Sequence, residues 1–597
     1  MGIAHSLGGN VSVASVGRAP AGAYDPPVAV RQSIAGKGAT VKSSLEIAQD
    51  HPIQPIVDIA AAAGLLEDEI EMYGRYKAKI DLSAIARLSD RPDAKIVNVT
   101  AITPTPAGEG KTTTSVALAQ GLGYIGRKPI LCLREPSLGP IFGVKGGAAG
   151  GGFAQVVPME DLNLHFTGDL HAITSANNLL SAFIDAHVFH GNELGIDPST
   201  ISWRRCLDMN DRNLRNVVSG LGGKTNGIPR ETGFDITAAS EVTAILALAK
   251  DLGDLRQRLG NITIGQTYDG RPVRAEEIKC AGAMTTLLKD ALKPNLIQTL
   301  EGQPCLMHGA PFANIAHGNN SIVADRLGLK LGDYLITESG FASDMGMEKF
   351  MDIVCRSAGL RPHAVVIVAT VRALCMHGGG GLTKPATAAE SYRLIEIGCE
   401  NLAKHIENVR EFGIEPVVAI NRRPEDSAEE LALVKRLAGE AGALVAVHNG
   451  FGEGGPGATE LAEAVVEACD RPTNFKLLYT DDAPFKKKIE AIATRIYGAD
   501  GVDFAPAAID RLKQFEAQGL GHFAVCMAKT HLSLSADPNV KGRPRNFRIP
   551  VRDVRAYTGA GFVVPLCGDV LQMPGLGKTP AGFNIDIDPD GKISGMF

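Results

Sequence analysis

Aromatic side chains are scarce in this sequence. Its 597 residues include 68 glycines but only 20 phenylalanines, 10 tyrosines and one tryptophan. Many glycines with few aromatics favour an α/β protein with tight strand-to-helix turns over a β-sandwich. Long apolar runs are also missing, because the longest uncharged one, near residues 364–371, is well short of the ~20 residues that a membrane helix needs. We therefore predict an α/β protein without a membrane span.

The sequence has neither an excess of positive charge nor a paired-cysteine motif. Its 60 Lys and Arg residues face 66 Asp and Glu residues, which gives a formal net charge of −6. A nucleic-acid partner would favour a basic chain or a basic patch, so we expect no such partner. The ten cysteines are scattered, and several, such as Cys132, lie inside apolar runs. Buried, reduced thiols of this kind predict a cytoplasmic protein.

Apolar residues make up 45% of the chain, enough to bury a sizeable core. Apolar runs that alternate with amphipathic segments predict parallel strands joined by helices. The strands are expected at residues 95–100, 129–133, 334–337, 364–370, 416–420 and 444–447, and helices from about residue 112 and at residues 389–409 and 428–441. Residues 1–42 are rich in Gly, Ala, Ser and Pro, and we expect a flexible extension or a vector-derived segment, with an organelle-targeting peptide as the alternative.

The segment TPTPAGEGKT, residues 103–112, resembles the phosphate-binding loop G-x-x-x-x-G-K-[ST]. Gly110, Lys111 and Thr112 match this motif, whereas Thr105 stands where the first glycine is expected. The loop follows a predicted strand and opens a predicted helix, so its backbone N–H groups can bind phosphate oxygens. The motif predicts that Lys111 contacts the β- and γ-phosphates of ATP and that the Thr112 hydroxyl ligates Mg²⁺. An ordinary glycine-rich turn with an exposed lysine is the alternative.

Arg134 follows the next predicted strand. Ligands of parallel sheets bind at the carboxyl ends of the strands, so Arg134 and Lys111 are expected at one site. A guanidinium there suits a second anion or the charge of a transferring phosphoryl group, and the alternative is a structural ion pair with Glu135 or another acid. The glycines between Gly143 and Gly152 predict a backbone that approaches a ligand closely or moves, unless they form only a linker.

Five longer segments resemble formate–tetrahydrofolate ligases, in order from about Leu45 to Phe597. They are TPTPAGEGKTTT, LREPSLGPIFGVKGGAAGGGFAQVVPMEDLNLHFTGDLHAI, NGIPRETGFDIT, PFANIAHGNNSI and MPGLGKTPAGFNIDID. The resemblance implies a reaction of one-carbon metabolism in which ATP, formate and tetrahydrofolate give 10-formyltetrahydrofolate, ADP and phosphate through formyl phosphate. This chemistry agrees with the residues, because phosphorylation of formate needs a phosphate loop, a lysine, Mg²⁺ and another cation.

The resemblance also implies roles for individual residues. Lys111 and Arg134 would be catalytic, with Lys111 on the transferring phosphoryl group and Arg134 on formyl phosphate. Thr112 would hold Mg²⁺. The residues implied in ATP binding are Thr105, Pro106, Ala107, Gly108, Glu109, Gly110, Lys111 and Thr112.

Four residues are implied in tetrahydrofolate binding. Asp169 corresponds to an acid that faces the pterin, and Phe341, Pro424 and Phe451 would line a slot for its flat ring. The best-known family members carry tryptophan at the position of Phe451 and phenylalanine at that of Arg423. At this departure from the family, Arg423 would lie over the pterin or contact the glutamate tail of folate. Core packing or a loop anchor is the alternative for each of the slot residues.

The family further implies a homotetramer, activation by K⁺ or NH₄⁺, and a P-loop NTPase-like parallel sheet core with additional α/β domains. The expected domains are a P-loop domain of residues 43–175 plus 350–414, an inserted α/β domain of residues 176–349 and a C-terminal α/β domain of residues 415–597.

Two other activities stay open on the residues alone. One is a different ATP-dependent activator of a small carboxylate or CO₂, which would need neither the stretch 134–152 nor a pterin slot. The other is a P-loop ATPase that works as a binding switch and needs no third substrate.

Overall fold

The structure is a computed structural model that describes residues 42–143 and 149–596. The extension expected over residues 1–42 lies outside this range except for Lys42, and so do residues 144–148 of the glycine cluster.

A sheet of twelve strands forms the centre of the described chain. Its strands in chain order are β1 (Ile70–Met72), β2 (Ala78–Ile80), β3 (Lys95–Ala101), β4 (Pro129–Leu133), β5 (Gly150–Gly151), β6 (Ala154–Val157), β7 (Asn295–Thr299), β8 (Pro304–Met307), β9 (Tyr334–Glu338), β10 (Ala364–Ala369), β11 (Glu415–Asn421) and β12 (Leu444–His448).

Seven neighbouring strands of this sheet are parallel, in the order β8-β4-β9-β3-β10-β11-β12. Strand β10 is buried along its whole length, as expected for a parallel strand covered on both faces. The six strands predicted from the sequence are all among these seven, each within one residue of its predicted ends. The predicted α/β architecture is therefore confirmed.

The other edge of the sheet is antiparallel, which the sequence analysis did not predict. Strand β7 pairs antiparallel with β8, β2 and β6, and β1 pairs antiparallel with β2. Only residues 300–303 join β7 to β8, and a connection this short permits a hairpin but no parallel crossover. The sheet is thus mixed, although most of its strands are parallel.

The helices begin and end close to the predicted positions. Helix Lys111–Tyr124 follows β3, and the helices predicted at 389–409 and 428–441 are Ala388–Glu411 and Ala428–Glu440. The other helices of eight or more residues are Ile56–Ala63, Asp169–Phe189, Glu241–Leu248, Leu252–Gly260, Ala281–Leu288, Ile322–Leu331, Thr459–Asp470 and Pro506–Ala517. No helix in the described part of the chain is long and apolar enough to cross a bilayer. All ten cysteines are buried and unpaired.

Smaller sheets lie outside the central one. They pair Arg205–Leu207 with Phe234–Ile236, Val217–Ser219 with Arg230–Thr232, Thr263–Gln266 with Pro272–Arg274, Val502–Phe504 with Ile549–Val551, Asp586–Ile587 with Ile593–Ser594, and join Ala524–Val525, Phe562–Leu566 and Asp553–Tyr557. The central sheet takes strands from each of the three expected domain ranges, and the domain boundaries stay a prediction.

A buried ion pair fixes the segment that follows β9. The Lys529 ammonium donates to the Asp344 carboxylate at 2.8 Å and to the backbone carbonyls of Thr530 at 3.0 Å and Ser533 at 2.6 Å. Both charged side chains are almost completely buried. The pair thus ties the C-terminal segment to the turn that carries Phe341.

Replacing Lys529 with Ala should lower the free energy of unfolding by about 3–5 kcal/mol, because Asp344 is then left as an unpaired buried charge. Lys435→Ala is the control, since it removes an exposed pair with Glu460 and should change the same quantity by less than about 1 kcal/mol. Urea denaturation followed by circular dichroism measures both, and equal effects would contradict this role for Lys529.

Candidate active site

Two buried histidines hold the start of the glycine-rich loop, residues 102–110. The backbone N–H of Thr103 donates to His405 Nε2 at 2.9 Å, and the Thr103 carbonyl accepts from His377 Nε2 at 2.7 Å. Burial lowers the pKa of His405 to about 3 and that of His377 to about 4, so both rings are neutral near pH 7. The loop therefore leaves β3 from a fixed position.

Two glycines shape the end of the loop. Gly108 and Gly110 have φ angles of +71° and +75°, a left-handed conformation that glycine adopts without steric cost. A Cβ atom on Gly110 would also collide with the side-chain amide of Asn421. Helix Lys111–Tyr124 starts at Gly110 with no side-chain cap, so its first N–H groups face the loop. This is the geometry that an anion-binding loop needs.

Side chains at the end of β11 bind three consecutive carbonyls of this loop. Arg423 Nη2 donates to the carbonyls of Ala107 at 2.9 Å and Gly108 at 3.1 Å. The side-chain amide of Asn421 donates to the carbonyl of Glu109 at 3.0 Å. The Arg423 guanidinium thus lies on the loop expected to bind ATP, and its expected contact with folate stays a prediction.

Lys111 and Arg134 come together at one carboxylate. Lys111 Nζ lies 3.5 Å from Glu338 Oε1, and Arg134 Nη2 lies 3.7 Å from the same oxygen. Arg134 therefore has an acidic neighbour, as its alternative role in a structural ion pair requires. This neighbour is Glu338 and not Glu135, and Lys111 lies beside the same carboxylate. Glu135 is buried instead, and burial raises the pKa of its carboxyl well above the usual value.

The order of the strands explains this convergence. Strand β9 lies between β3 and β4 and runs parallel to both. Glu338 is the last residue of β9, Arg134 directly follows β4, and Lys111 opens the helix after β3. Sequence analysis missed Glu338, although an acid at the carboxyl end of a predicted strand was the signal that could have found it.

Burial disfavours the charged forms of Lys111 and Arg134. Burial lowers the pKa of Lys111 and of Arg134, and the charge of Glu338 opposes this in each case. Arg134 Nε, Glu338 Oε2 and both ring nitrogens of His317 are buried without a hydrogen-bond partner among the described residues. Such atoms are uncommon in folded proteins and are expected where a polar ligand or water binds.

Glu109, in the loop, and Thr112, in the helix that follows it, have distinct surroundings. The Glu109 carboxylate accepts hydrogen bonds from the backbone N–H of Thr105 at 2.8 Å and from its hydroxyl at 2.9 Å, while burial raises the pKa of Glu109. The Thr112 hydroxyl makes no hydrogen bond to the described residues. It stands in the first turn of the helix and fits the single hydroxyl ligand that a phosphate-bound Mg²⁺ takes from such a loop.

Asp169 is buried in a polar cluster. One carboxylate oxygen accepts from Lys79 Nζ at 2.7 Å, and the other accepts from the side-chain amide of Asn295 at 2.8 Å. Both oxygens are therefore engaged within the protein. The folate contact expected of Asp169 stays a prediction.

The three expected slot residues are held by different neighbours. Phe341 has a φ angle of +58° and stacks on His531 with ring centroids 4.3 Å apart. Pro424 is exposed next to Arg423. Phe451 is 50% exposed, and its carbonyl accepts from the backbone N–H of Phe153 at 2.9 Å. Sequence analysis did not anticipate His531.

Comparison with known proteins decides the family. The model of the formate–tetrahydrofolate ligase family matches residues 42–597. The chain belongs to the formate–tetrahydrofolate ligase family. It is accordingly an enzyme, and its family implies the use of ATP and tetrahydrofolate.

Three relatives named formate–tetrahydrofolate ligase show how close the likeness is. The proteins of Desulforamulus reducens, Saccharopolyspora erythraea and Symbiobacterium thermophilum are 58%, 55% and 55% identical to this chain. Each alignment covers 93% of this chain and the whole of the relative. The family resemblance inferred from the motifs is therefore confirmed.

Replacing Glu338 with Gln should move the alkaline limb of the ligase pH–activity profile to lower pH by about one pH unit. The carboxylate favours protonated Lys111, so its loss lowers the pKa of Lys111 further and the ammonium deprotonates at a lower pH. The measurement is kcat/KM for MgATP as a function of pH.

The control is Glu241→Gln, which changes a buried carboxyl group that accepts from the Gly559 N–H and should leave this limb in place. An unmoved limb in Glu338→Gln, or one at higher pH, would contradict the interaction.

Proposed function

We propose that the chain converts ATP, formate and tetrahydrofolate into 10-formyltetrahydrofolate, ADP and phosphate through formyl phosphate. The observation that carries this proposal is the approach of Lys111 and Arg134 to one point at the carboxyl edge of the sheet. Two cations beside an anion-binding loop suit two anions, a nucleotide phosphate and a small carboxylate, better than a nucleotide alone. This favours the ligase over a P-loop ATPase that works as a switch, and the family name specifies formate.

The first step makes formate reactive. A formate oxygen attacks the γ-phosphorus of ATP, a new O–P bond forms, and the bond to the bridging oxygen of ADP breaks. Lys111 neutralises the transferring phosphoryl group, while Arg134 binds formate and then formyl phosphate through its N–H donors. The catalytic contribution of the protein is positioning and charge neutralisation.

The second step transfers the formyl group. The N10 amine of tetrahydrofolate attacks the formyl carbon, the bond between that carbon and the phosphate oxygen breaks, and the amine proton ends on the phosphate. Arg134 stabilises the charge of the departing phosphate. Phosphate is a good leaving group here, whereas free formate would have to expel an oxide-like group.

Residues 105–112 would form the phosphate site of ATP on a P-loop NTPase-like sheet core, with the backbone N–H groups at the start of helix Lys111–Tyr124 as donors. Thr112 would hold Mg²⁺, which supplies charge neutralisation of the β- and γ-phosphate oxygens. We assign no residues to the monovalent cation, K⁺ or NH₄⁺, that the family resemblance implies.

Tetrahydrofolate would bind with its pterin near Phe341, Pro424 and Phe451. Gly340 directly precedes Phe341, and a Cβ atom on Gly340 would lie 3.1 Å from Arg134 Nη1. This part of the slot therefore adjoins the proposed phosphoryl site. The half-exposed ring of Phe451 suits stacking on a flat heterocycle, whereas Phe341 already stacks on His531. Asp169 would face the pterin while one of its carboxylate oxygens accepts from Lys79. A homotetramer in the cytoplasm, with the three domains given above, completes the proposal.

The formyl phosphate step can be tested with formate labelled with ¹⁸O. We expect one labelled oxygen from formate in the inorganic phosphate, because the carbon–oxygen bond breaks after the phosphoryl group has moved to that oxygen. Mass spectrometry of the phosphate measures the label, and methenyl-folate absorbance after acidification measures the product. Lys111→Ala should remove both signals while tetrahydrofolate binding stays measurable.

Product formation with unlabelled phosphate would exclude the intermediate. ADP release without a folate product, or product formation independent of formate, would exclude the ligase reaction itself and favour one of the other activities.

A further inference from the structure

We propose that Arg423 is a positioning residue for ATP, which holds the phosphate loop in its anion-binding conformation together with Asn421. This inference rests on the proposed function, because it assigns the loop to ATP. It gives Arg423 a task at the nucleotide rather than at the pterin or the glutamate tail of folate.

The argument begins with the direction of the loop's peptide groups. In a trans peptide, the carbonyl and the N–H of the same unit point in opposite directions. Side chains from the end of β11 bind the carbonyls of Ala107, Gly108 and Glu109. These bonds hold the three carbonyls on the β11 side, so the N–H groups of the same peptide units point away from β11. The Gly108 N–H donates to the Thr105 carbonyl at 3.1 Å and closes the loop, which leaves the Gly110 N–H and the first N–H groups of helix Lys111–Tyr124 for an anion.

Without these bonds the loop has other conformations open to it. Gly108 and Gly110 permit large changes of backbone angle, and a rotated peptide would present a carbonyl, which repels a phosphate oxygen. Arg423 Nη2 binds two adjacent carbonyls at once, so it restrains two peptide units with one group. The guanidinium thus lowers the cost of ordering the loop when ATP binds.

Arg423 itself is fixed by its own turn. Its backbone N–H donates to a carboxylate oxygen of Asp426 at 2.8 Å, directly after β11. Pro424, which the proposed function places at the folate slot, is the next residue. Because one short turn carries both groups, a direct folate role for Arg423 is the natural competing explanation, and the experiment must separate the two.

The experiment compares Arg423→Ala with two matched variants. Arg422→Ala removes the same charge from the neighbouring position, where the exposed side chain makes no hydrogen bond to the described residues. Phe451→Ala reports what loss of a proposed pterin contact looks like. For each protein, calorimetry measures the Kd of MgATP without the other substrates, and steady-state kinetics gives the KM values of MgATP and tetrahydrofolate.

We expect Arg423→Ala to raise the Kd and the KM of MgATP about tenfold and to change the KM of tetrahydrofolate less than about twofold, since two charge-assisted hydrogen bonds to the loop are lost. Arg423→Lys should recover part of the affinity, and Arg422→Ala should bind MgATP as the unchanged protein does. Phe451→Ala should show the opposite pattern, with a raised KM for tetrahydrofolate.

The inference is overturned if Arg423→Ala binds MgATP normally, whether or not its KM for tetrahydrofolate rises. It is also overturned if Arg422→Ala loses MgATP affinity equally, because the effect is then one of net charge. A failure of the proposed function would give a different result from a failure of this inference. The unchanged protein would then show no ligase turnover, while the Kd values for MgATP would still test the role of Arg423.

Discussion

The positive charges of Lys111 and Arg134 lie close together in a partly buried place, and the structure must stabilise them there. Burial disfavours each charge, and each charge disfavours the other. The carboxylate of Glu338 is within 3.7 Å of both and opposes these effects. These three charges sum to +1, and Arg134 Nε and Glu338 Oε2 are buried without a hydrogen-bond partner among the described residues. Such a site attracts anions, and the central sheet positions the side chains that form it.

The sheet provides the necessary alignment. Three adjacent parallel strands, β4, β9 and β3, end at the same edge and deliver Arg134, Glu338 and the loop before Lys111. Two strands further along, β11 brings Asn421 and Arg423 against the outside of the loop. Groups from distant parts of the chain are therefore positioned by the hydrogen-bond register of one rigid sheet, as electrostatic catalysis requires.

Sequence patterns predicted the local elements well and their arrangement poorly. Strands such as β10 were predictable because burial on both faces leaves a continuous apolar run. Strand β7 was missed because polar residues, Asn295, Gln298 and Thr299, interrupt its apolar pattern. Glu338 escaped notice because its role depends on β9 lying between β3 and β4, and the order of strands in a sheet is not encoded in any short segment. The loop and Arg134, by contrast, were recognisable from their motifs.

The most direct test of the central claim, that Lys111 and Arg134 share one phosphoryl site, is a crystal structure with a non-hydrolysable ATP analogue, Mg²⁺ and formate. We expect the γ-phosphoryl oxygens within about 3.2 Å of Lys111 Nζ and formate on the Arg134 guanidinium, with the two ligands in contact. A γ-phosphoryl group that is bound away from Lys111, or formate bound elsewhere, would contradict the claim.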